Sequence, residues 1–334
     1  MRSATIPCAK GVMNTIPTTF KKLRVPYTVV GGEKIDKRRR KPVDLSLIVL
    51  TRNVSVYKPD YIAQLDKCGI PEVIFIEGPA PSYNVDSLCV RFPKIRFLLF
   101  HEDTSPGERI NIGVEESHGR CVLVIWDDIK IVQPLVSGRL VERTLENDIL
   151  CTVPLLQNQK RETIPSIQAP AYFRKRLKMI QLQPGEENMD TLFPFDYIGI
   201  YRKERFVRTG GYDFTIRKSY WQKMDLGFRS YMWDERIQCN PGFRLQYVQD
   251  PPAEDETPEE GYRRFFLKNL AVRFAGDSGN LPKTKFLPYF FKSGTGFVDA
   301  LKEFREVREW VGLNRYRFRQ DARSVTELWE LDEQ

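Results

Sequence analysis

Residues 94–132, KIRFLLFHEDTSPGERINIGVEESHGRCVLVIWDDIKIV, read as strand, helix and strand, and the second strand ends on two carboxylates, Asp127 and Asp128. The opening IRFLLF is an apolar run of β-formers. Ser105, Pro106 and Glu108 then mark a helix start: a capping hydroxyl, a proline at the first helical position and a capping-box acid. Ile110, Ile112 and Val114 supply its apolar surface, and Gly119 stands where such a helix stops. CVLVIW is continuously apolar, as expected of a strand covered on both faces. Acids at the carboxyl end of such a strand lie where open α/β sheets bind ligands.

Working outward, strand-like runs at 44–50 (DLSLIVL) and 72–76 (EVIFI) alternate with helical patterns at 58–68 and 82–91. The alternation predicts repeated βαβ units and an α/β fold with a mostly parallel sheet flanked by helices. Beyond Asp128 the pattern predicts a helix over 136–145, a strand over 149–153 and a polar, proline-punctuated loop over 157–170. A basic amphipathic stretch follows at 173–183. A strand over 197–201, a short helix over 203–208, a Gly210-Gly211 turn, a helix over 224–234 and a strand over 243–248 complete this part. Three regions result: an N-terminal basic tail, 1–43; an α/β domain, 44–249; and an acidic linker with a C-terminal helical extension, 250–334.

Composition narrows the function classes. With 41% hydrophobic and 12% aromatic residues the chain is globular, and no apolar run approaches the ~18 residues that span a bilayer. The start, MRSATIPCAKG, has no apolar signal core, so a cytoplasmic location is expected. The six cysteines form no CxxC pair and read as buried thiols. Two histidines, His101 and His118, count against a His-rich zinc site or a Ser-His-Asp triad. The net charge of +8 favours an anionic partner. It includes a compact run, KRRRK at 37–41, whose plain reading is a solvated linker.

Several short motifs in order give the chain a resemblance. LSLIVLTRN (45–53), EVIFIEG (72–78), GERINIGVEESHGRCVLVIWDD (107–128), YRKERFVRTGGYD (201–213) and YWQKMDLGFR (220–229) resemble successive signatures of the inverting family 2 glycosyltransferases, which have the GT-A fold. The resemblance implies a nucleotide diphosphate-sugar donor and an acceptor hydroxyl. It also implies a divalent cation, Mg²⁺ or Mn²⁺, to offset the charge of the departing diphosphate. By this likeness Asp128 is the metal ligand and Asp127 a neighbouring donor contact. Thr51, Arg52, Asn53, Glu77 and Asn111 fall at nucleotide-sugar-binding positions. The family's DxD becomes Trp126-Asp127-Asp128, and its ED base pair becomes Gln222-Lys223. Asp225 and Asp213 are then the remaining acids for deprotonating the acceptor.

Other readings stand beside this one. A degenerate sugar-nucleotide-binding or scaffold protein fits the lost base pair. A nucleotidyltransferase shares the acidic strand end, but LTRNVSVYKP lacks the glycine-rich phosphate loop that its chemistry uses. Nucleic-acid binding draws on the basic aromatic clusters YRRFF (262–266) and NRYRF (314–318). These equally suit the core face of a helix with charges reaching outward, or a peripheral contact with the inner face of the membrane.

Overall fold

The computed structural model describes residues 25–32, 44–52, 58–79, 81, 83–132, 134–173, 176–258 and 260–329. In chain order the first half contains β1 (Tyr27–Gly31), β2 (Leu45–Leu50), α1 (Lys58–Asp66), β3 (Glu72–Glu77), α2 (Val85–Arg91), β4 (Ile95–Phe100), α3 (Pro106–Glu116), β5 (Cys121–Trp126) and α4 (Gly138–Glu146). Then come β6 (Cys151–Gln157), β7 (Ile167–Phe173), β8 (Arg176–Leu182), β9 (Met189–Asp190), β10 (Gly199–Arg202), α5 (Lys203–Thr209), α6 (Ser219–Met232) and β11 (Ile237–Gln246). The last part holds α7 (Glu260–Phe265), β12 (Arg273–Ala275), β13 (Ser278–Asn280), α8 (Phe286–Ser293), α9 (Phe297–Leu313) and α10 (Ala322–Glu327).

A nine-stranded sheet in the order β1-β4-β3-β2-β5-β10-β6-β11-β9 forms the centre. Strands β2, β3, β4, β5, β6 and β11 share one direction, and β1, β9 and β10 run against them. This is the mostly parallel α/β sheet expected from the alternation of patterns. Strands β2, β3 and β5 are buried along their whole length. That burial explains why their sequences are unbroken apolar runs rather than alternating ones.

Helix α3 begins as its sequence predicts. Pro106 opens it, and the Ser105 side chain accepts a hydrogen bond from the Glu108 backbone N–H at 3.3 Å. It ends at Glu116, capped by Ser117, three residues before the glycine read as its stop. Gly119 serves packing instead: a Cβ there would lie 2.5 Å from the Ser46 nitrogen and 2.6 Å from the Cys121 carbonyl oxygen.

Several elements depart from the sequence reading, among them β11, which starts at Ile237 rather than at 243. Within the segment read as a tail, Tyr27–Gly31 pairs antiparallel with β4 and forms one edge of the sheet. The segment read as a loop and a basic amphipathic stretch forms the β7–β8 hairpin, in which Pro170 pairs with Met179. A two-stranded ribbon leaves outward-facing edges, where a proline's missing N–H costs nothing. Helix α6 starts at Ser219, five residues earlier than its apolar pattern suggests.

Helix α6 is also buried on every side, from Tyr220 to Met232. The C-terminal elements provide the outer cover: Trp221 packs on Tyr262 and Phe265, and Trp233 stacks on Trp310 with centroids 5.8 Å apart. Phe265 and Phe318 of the two basic aromatic clusters are fully buried. Those clusters therefore contribute core, with charges directed outward or into ion pairs. No helix among the described residues is long and apolar enough to cross a membrane.

The fit around Gly119 leaves no room for a side chain against two backbone segments. Gly119→Ala is expected to destabilise the protein by about 1–3 kcal/mol, read from the urea unfolding midpoint.

Candidate active site

Strands β2 and β5 lie side by side, with Leu50 opposite Trp126, yet β3 and β4 extend the sheet in the other direction from β2. The β2 and β5 exits therefore flank a topological switch point, the crevice where such sheets take ligands. The backbone ties the exits together: Asp127 N–H donates to the Leu50 carbonyl at 2.9 Å, and Arg52 N–H donates to Asp127 Oδ1 at 2.9 Å.

The charges at this point are arranged around Arg52. Its guanidinium lies 4.1 Å from the centroid of the Trp126 ring. One end reaches Asp128 Oδ2 at 3.4 Å, and the other is bonded to Asp196 Oδ2. Lys58, at the start of α1, pairs with the fully buried Asp127. Asp128 Oδ1 is buried and has no protein hydrogen-bond partner.

Asp196 precedes β10 in a short 3₁₀ turn, and both it and Tyr197 have left-handed backbone, with φ of 52° and 65°. Non-glycine residues rarely hold this conformation unless their surroundings impose it. Here the Trp126 indole N–H donates to the Asp196 carbonyl at 2.8 Å, and the Tyr247 hydroxyl donates to its carboxylate at 2.8 Å. Burial raises the pKa of the Asp196 carboxyl, against the opposing pull of Arg52. Burial likewise raises that of Asp128; Arg52 opposes the shift and Asp196 reinforces it.

Glu77 ends β3 and is buried beside the Tyr83 hydroxyl, to which it is hydrogen-bonded. Its carboxyl is pushed up by burial, with Tyr83, Lys58, Thr51 and Arg109 resisting. Thr51 donates its hydroxyl to the Ile76 carbonyl at 3.0 Å. Thr51, Arg52, Glu77, Asp127 and Asp128 thus come together at the strand ends. Asn53 lies outside the described residues. Asn111 does not join them: its amide clasps the backbone of Tyr212, donating to the carbonyl at 2.7 Å and accepting from the N–H at 2.9 Å. It is a staple between α3 and the α5–α6 turn.

The acids expected to act as a base occupy closed ion-pair networks. Asp225 is fully buried, with Lys268 Nζ at 2.9 Å, Arg229 at 3.0 Å and the Asn269 amide at 2.9 Å. Asp213 accepts from Lys268 at 2.8 Å and from the Thr215 hydroxyl at 2.6 Å. Burial favours its neutral form, but Lys268 and Arg264 outweigh this and hold its carboxyl well below the usual range. A carboxylate so stabilised is a weak proton acceptor. At the ED position the Gln222 amide is buried and fully used. Its oxygen accepts from the Gly107 N–H and the Tyr197 hydroxyl, and its nitrogen donates to Ser105 and to the Asp213 carbonyl. Lys223, buried beside the Tyr197 ring, pairs with Glu254 from the acidic segment after β11.

A divalent cation does not fit this arrangement as it stands. The carboxylates flanking its expected place, Asp128 and Asp196, are bridged by Arg52, and Asp127 is taken by Lys58. Among the described residues there is no group of three or more His, Cys, Asp or Glu side chains able to hold a metal. Sequence reasoning missed Asp196, Lys58, Tyr247 and Glu254. An acid set inside the apolar run LFPFDYIGIY was the available signal for Asp196; the others carry no local mark.

No protein-family model matches the chain, and no curated protein matches it in sequence. Solved structures match it in fold. The crystal structure of GalNAc-T7 with UDP, GalNAc and Mn²⁺ superposes with a TM-score of 0.56 at 14% identity, covering 81% of this chain and 55% of that one. The chain has a GT-A-like α/β fold. It spans little more than half the length of that relative. S. aureus TarS 1–349 in complex with UDP-GlcNAc gives a TM-score of 0.49 at 11% identity, over 79% of this chain and 71% of that one. The mannosyltransferase PcManGT from Pyrobaculum calidifontis, in complex with GDP-Man and Mn²⁺, gives 0.41 at 12% identity, over 92% and 77%.

The Lys268 network yields a stability prediction. Lys268→Met leaves two buried carboxylates short of a cation and is expected to destabilise the protein by about 3–5 kcal/mol at neutral pH. Because the Asp213 pKa is depressed on folding, its stabilisation is complete above about pH 4 and fades as the pH falls further. The deficit of the variant, measured by urea unfolding across this range, is therefore expected to narrow in acid.

Proposed function

We propose that the chain is a glycosyltransferase of the inverting, family 2 type that takes a nucleotide diphosphate-sugar and transfers the sugar to an acceptor hydroxyl. The observation that carries this reading is the charged cluster of Arg52, Lys58, Asp127, Asp128 and Asp196 at the switch point of a GT-A-like sheet. Arg52 and Lys58 suit a diphosphate, and the partnerless Asp128 Oδ1 suits a hydroxyl of the donor. Thr51 and Glu77, at the neighbouring strand ends, stand on the nucleotide side. The likeness of the fold to GalNAc-T7 supports the same donor class.

In a single displacement the acceptor oxygen forms its bond to the anomeric carbon as the bond to the diphosphate breaks, with inversion. The acceptor proton must pass to a base. Asp213 and Asp225 are each held by two cations in the core, so the proposed base is Glu254, paired with Lys223, the residue that stands where the resemblance puts the catalytic base. A second reading, sugar-nucleotide binding without transfer, is favoured by one observation: Gln222 occupies the other half of that position as a fully bonded structural amide.

Thermal unfolding with a panel of nucleoside diphosphates (UDP, GDP, ADP, CDP and dTDP) tests the donor site. The cognate one is expected to add about 2.7 kcal/mol of stability at a hundred times its Kd. No stabilisation by any of them defeats the proposal. Glu254→Gln keeps an oxygen for Lys223 and is expected to bind the diphosphate as wild type while slowing transfer by roughly 10²-fold or more. Binding with no transfer or hydrolysis of any matching sugar donor in the wild type selects the second reading.

A further inference from the structure

The cation site between Asp128 and Asp196 is the feature that the proposed function leaves unexplained. The two acids come from distant parts of the chain and both are buried. Each would be unfavourable there without a positive charge. The charge they meet is on a side chain. Arg52 bridges them, backed by the Trp126 ring and fixed at its own backbone by Asp127. The aromatic residue that replaces an acid in the strand-end motif is the surface on which the guanidinium lies. An acid at position 126 would add another negative charge, whereas the indole adds a face that favours a flat cation.

We propose that Arg52 is this site's resident cation, and that the protein binds the diphosphate of its donor without a divalent metal. The inference rests on the donor-site reading above. A guanidinium carries five N–H donors in a fixed plane, so bridging two carboxylates leaves it further N–H groups for phosphate oxygens. Lys58, paired with Asp127 at the same strand end, brings a second positive charge. A metal ion entering between Asp128 and Asp196 would have to expel Arg52 from both carboxylates. The departing diphosphate is thus met by protein cations already in place.

The test compares binding of the stabilising nucleoside diphosphate by calorimetry in excess EDTA and in millimolar MnCl₂, using the full chain. Equal affinity in the two buffers is expected. Arg52→Ala is expected to weaken metal-free binding by roughly 10- to 100-fold. Mn²⁺ then restores it, because the uncovered Asp128 and Asp196 can hold the ion. Loss of the sharp multiline paramagnetic resonance of free Mn²⁺ reports that ion directly, and circular dichroism reports the fold. Should Arg52→Ala not fold, Arg52→Lys, which keeps a charge but not the planar fork, is expected to bind more weakly in EDTA than wild type. Wild-type binding that requires Mn²⁺, or unchanged metal-free binding in either folded variant, overturns the inference and leaves the donor site standing. Absence of diphosphate binding in both buffers overturns the donor site itself, and this inference with it.

Discussion

Lys268 reaches from a π-helical turn after α7 into Asp213 and Asp225, and its ammonium lies 4.6 Å from the centroid of the Trp310 ring. Helix α6 passes through the interior carrying Gln222, Lys223, Asp225, Arg229 and Ser230, all buried. A helix can run through a core with such residues only if every charge and amide finds a partner there. Arg229 spends its guanidinium on Asp225 and on the carbonyls of Thr209 and Gly211. Gln222 holds the start of α3. Lys268 balances what is left. The positions of α3, the α5–α6 turn and the C-terminal elements all follow from satisfying this one helix.

The same requirement shapes the strand ends. Asp127, Asp128 and Asp196 are three carboxylates gathered in a buried crevice, and Arg52 and Lys58 are the cations that make the gathering tolerable. The two clusters differ in how completely they close. Around Asp225 both oxygens are bonded within the protein, whereas Asp128 keeps an oxygen without a partner. The acids of the first cluster are taken up by the protein's own cations and amides, and an oxygen of the second is left over.

Legibility in the sequence followed the range of the interactions. The capped start of α3, the continuous apolar strands and the Gly210-Gly211 turn are set by neighbours a few residues apart, and each lies close to where its pattern puts it. The acids after β5 were readable because strand direction alone places them at the ligand-binding edge. Strand β1 was not, since a half-exposed edge strand has no strong period and its partner is β4, some seventy residues on. Asp213 and Asp225 had the residue type of a base. What ties them into ion pairs is Lys268, a contact that no local window contains. Asp196 was hidden for a similar reason: its place beside Asp128 depends on Arg52, Trp126 and Tyr247 converging on a left-handed turn.

The Lys268 contacts also impose an order on the birth of the molecule. Asp213 and Asp225 are separated from Lys268 by 55 and 43 residues, and a ribosome emits a chain from its N-terminal end. While residues 44–249 are emerging, Asp225 has Arg229 of its own helix beside it, but the Lys268 charge that both acids share has not yet been made. Helix α6 therefore gains its full set of charge partners only when the C-terminal residues arrive.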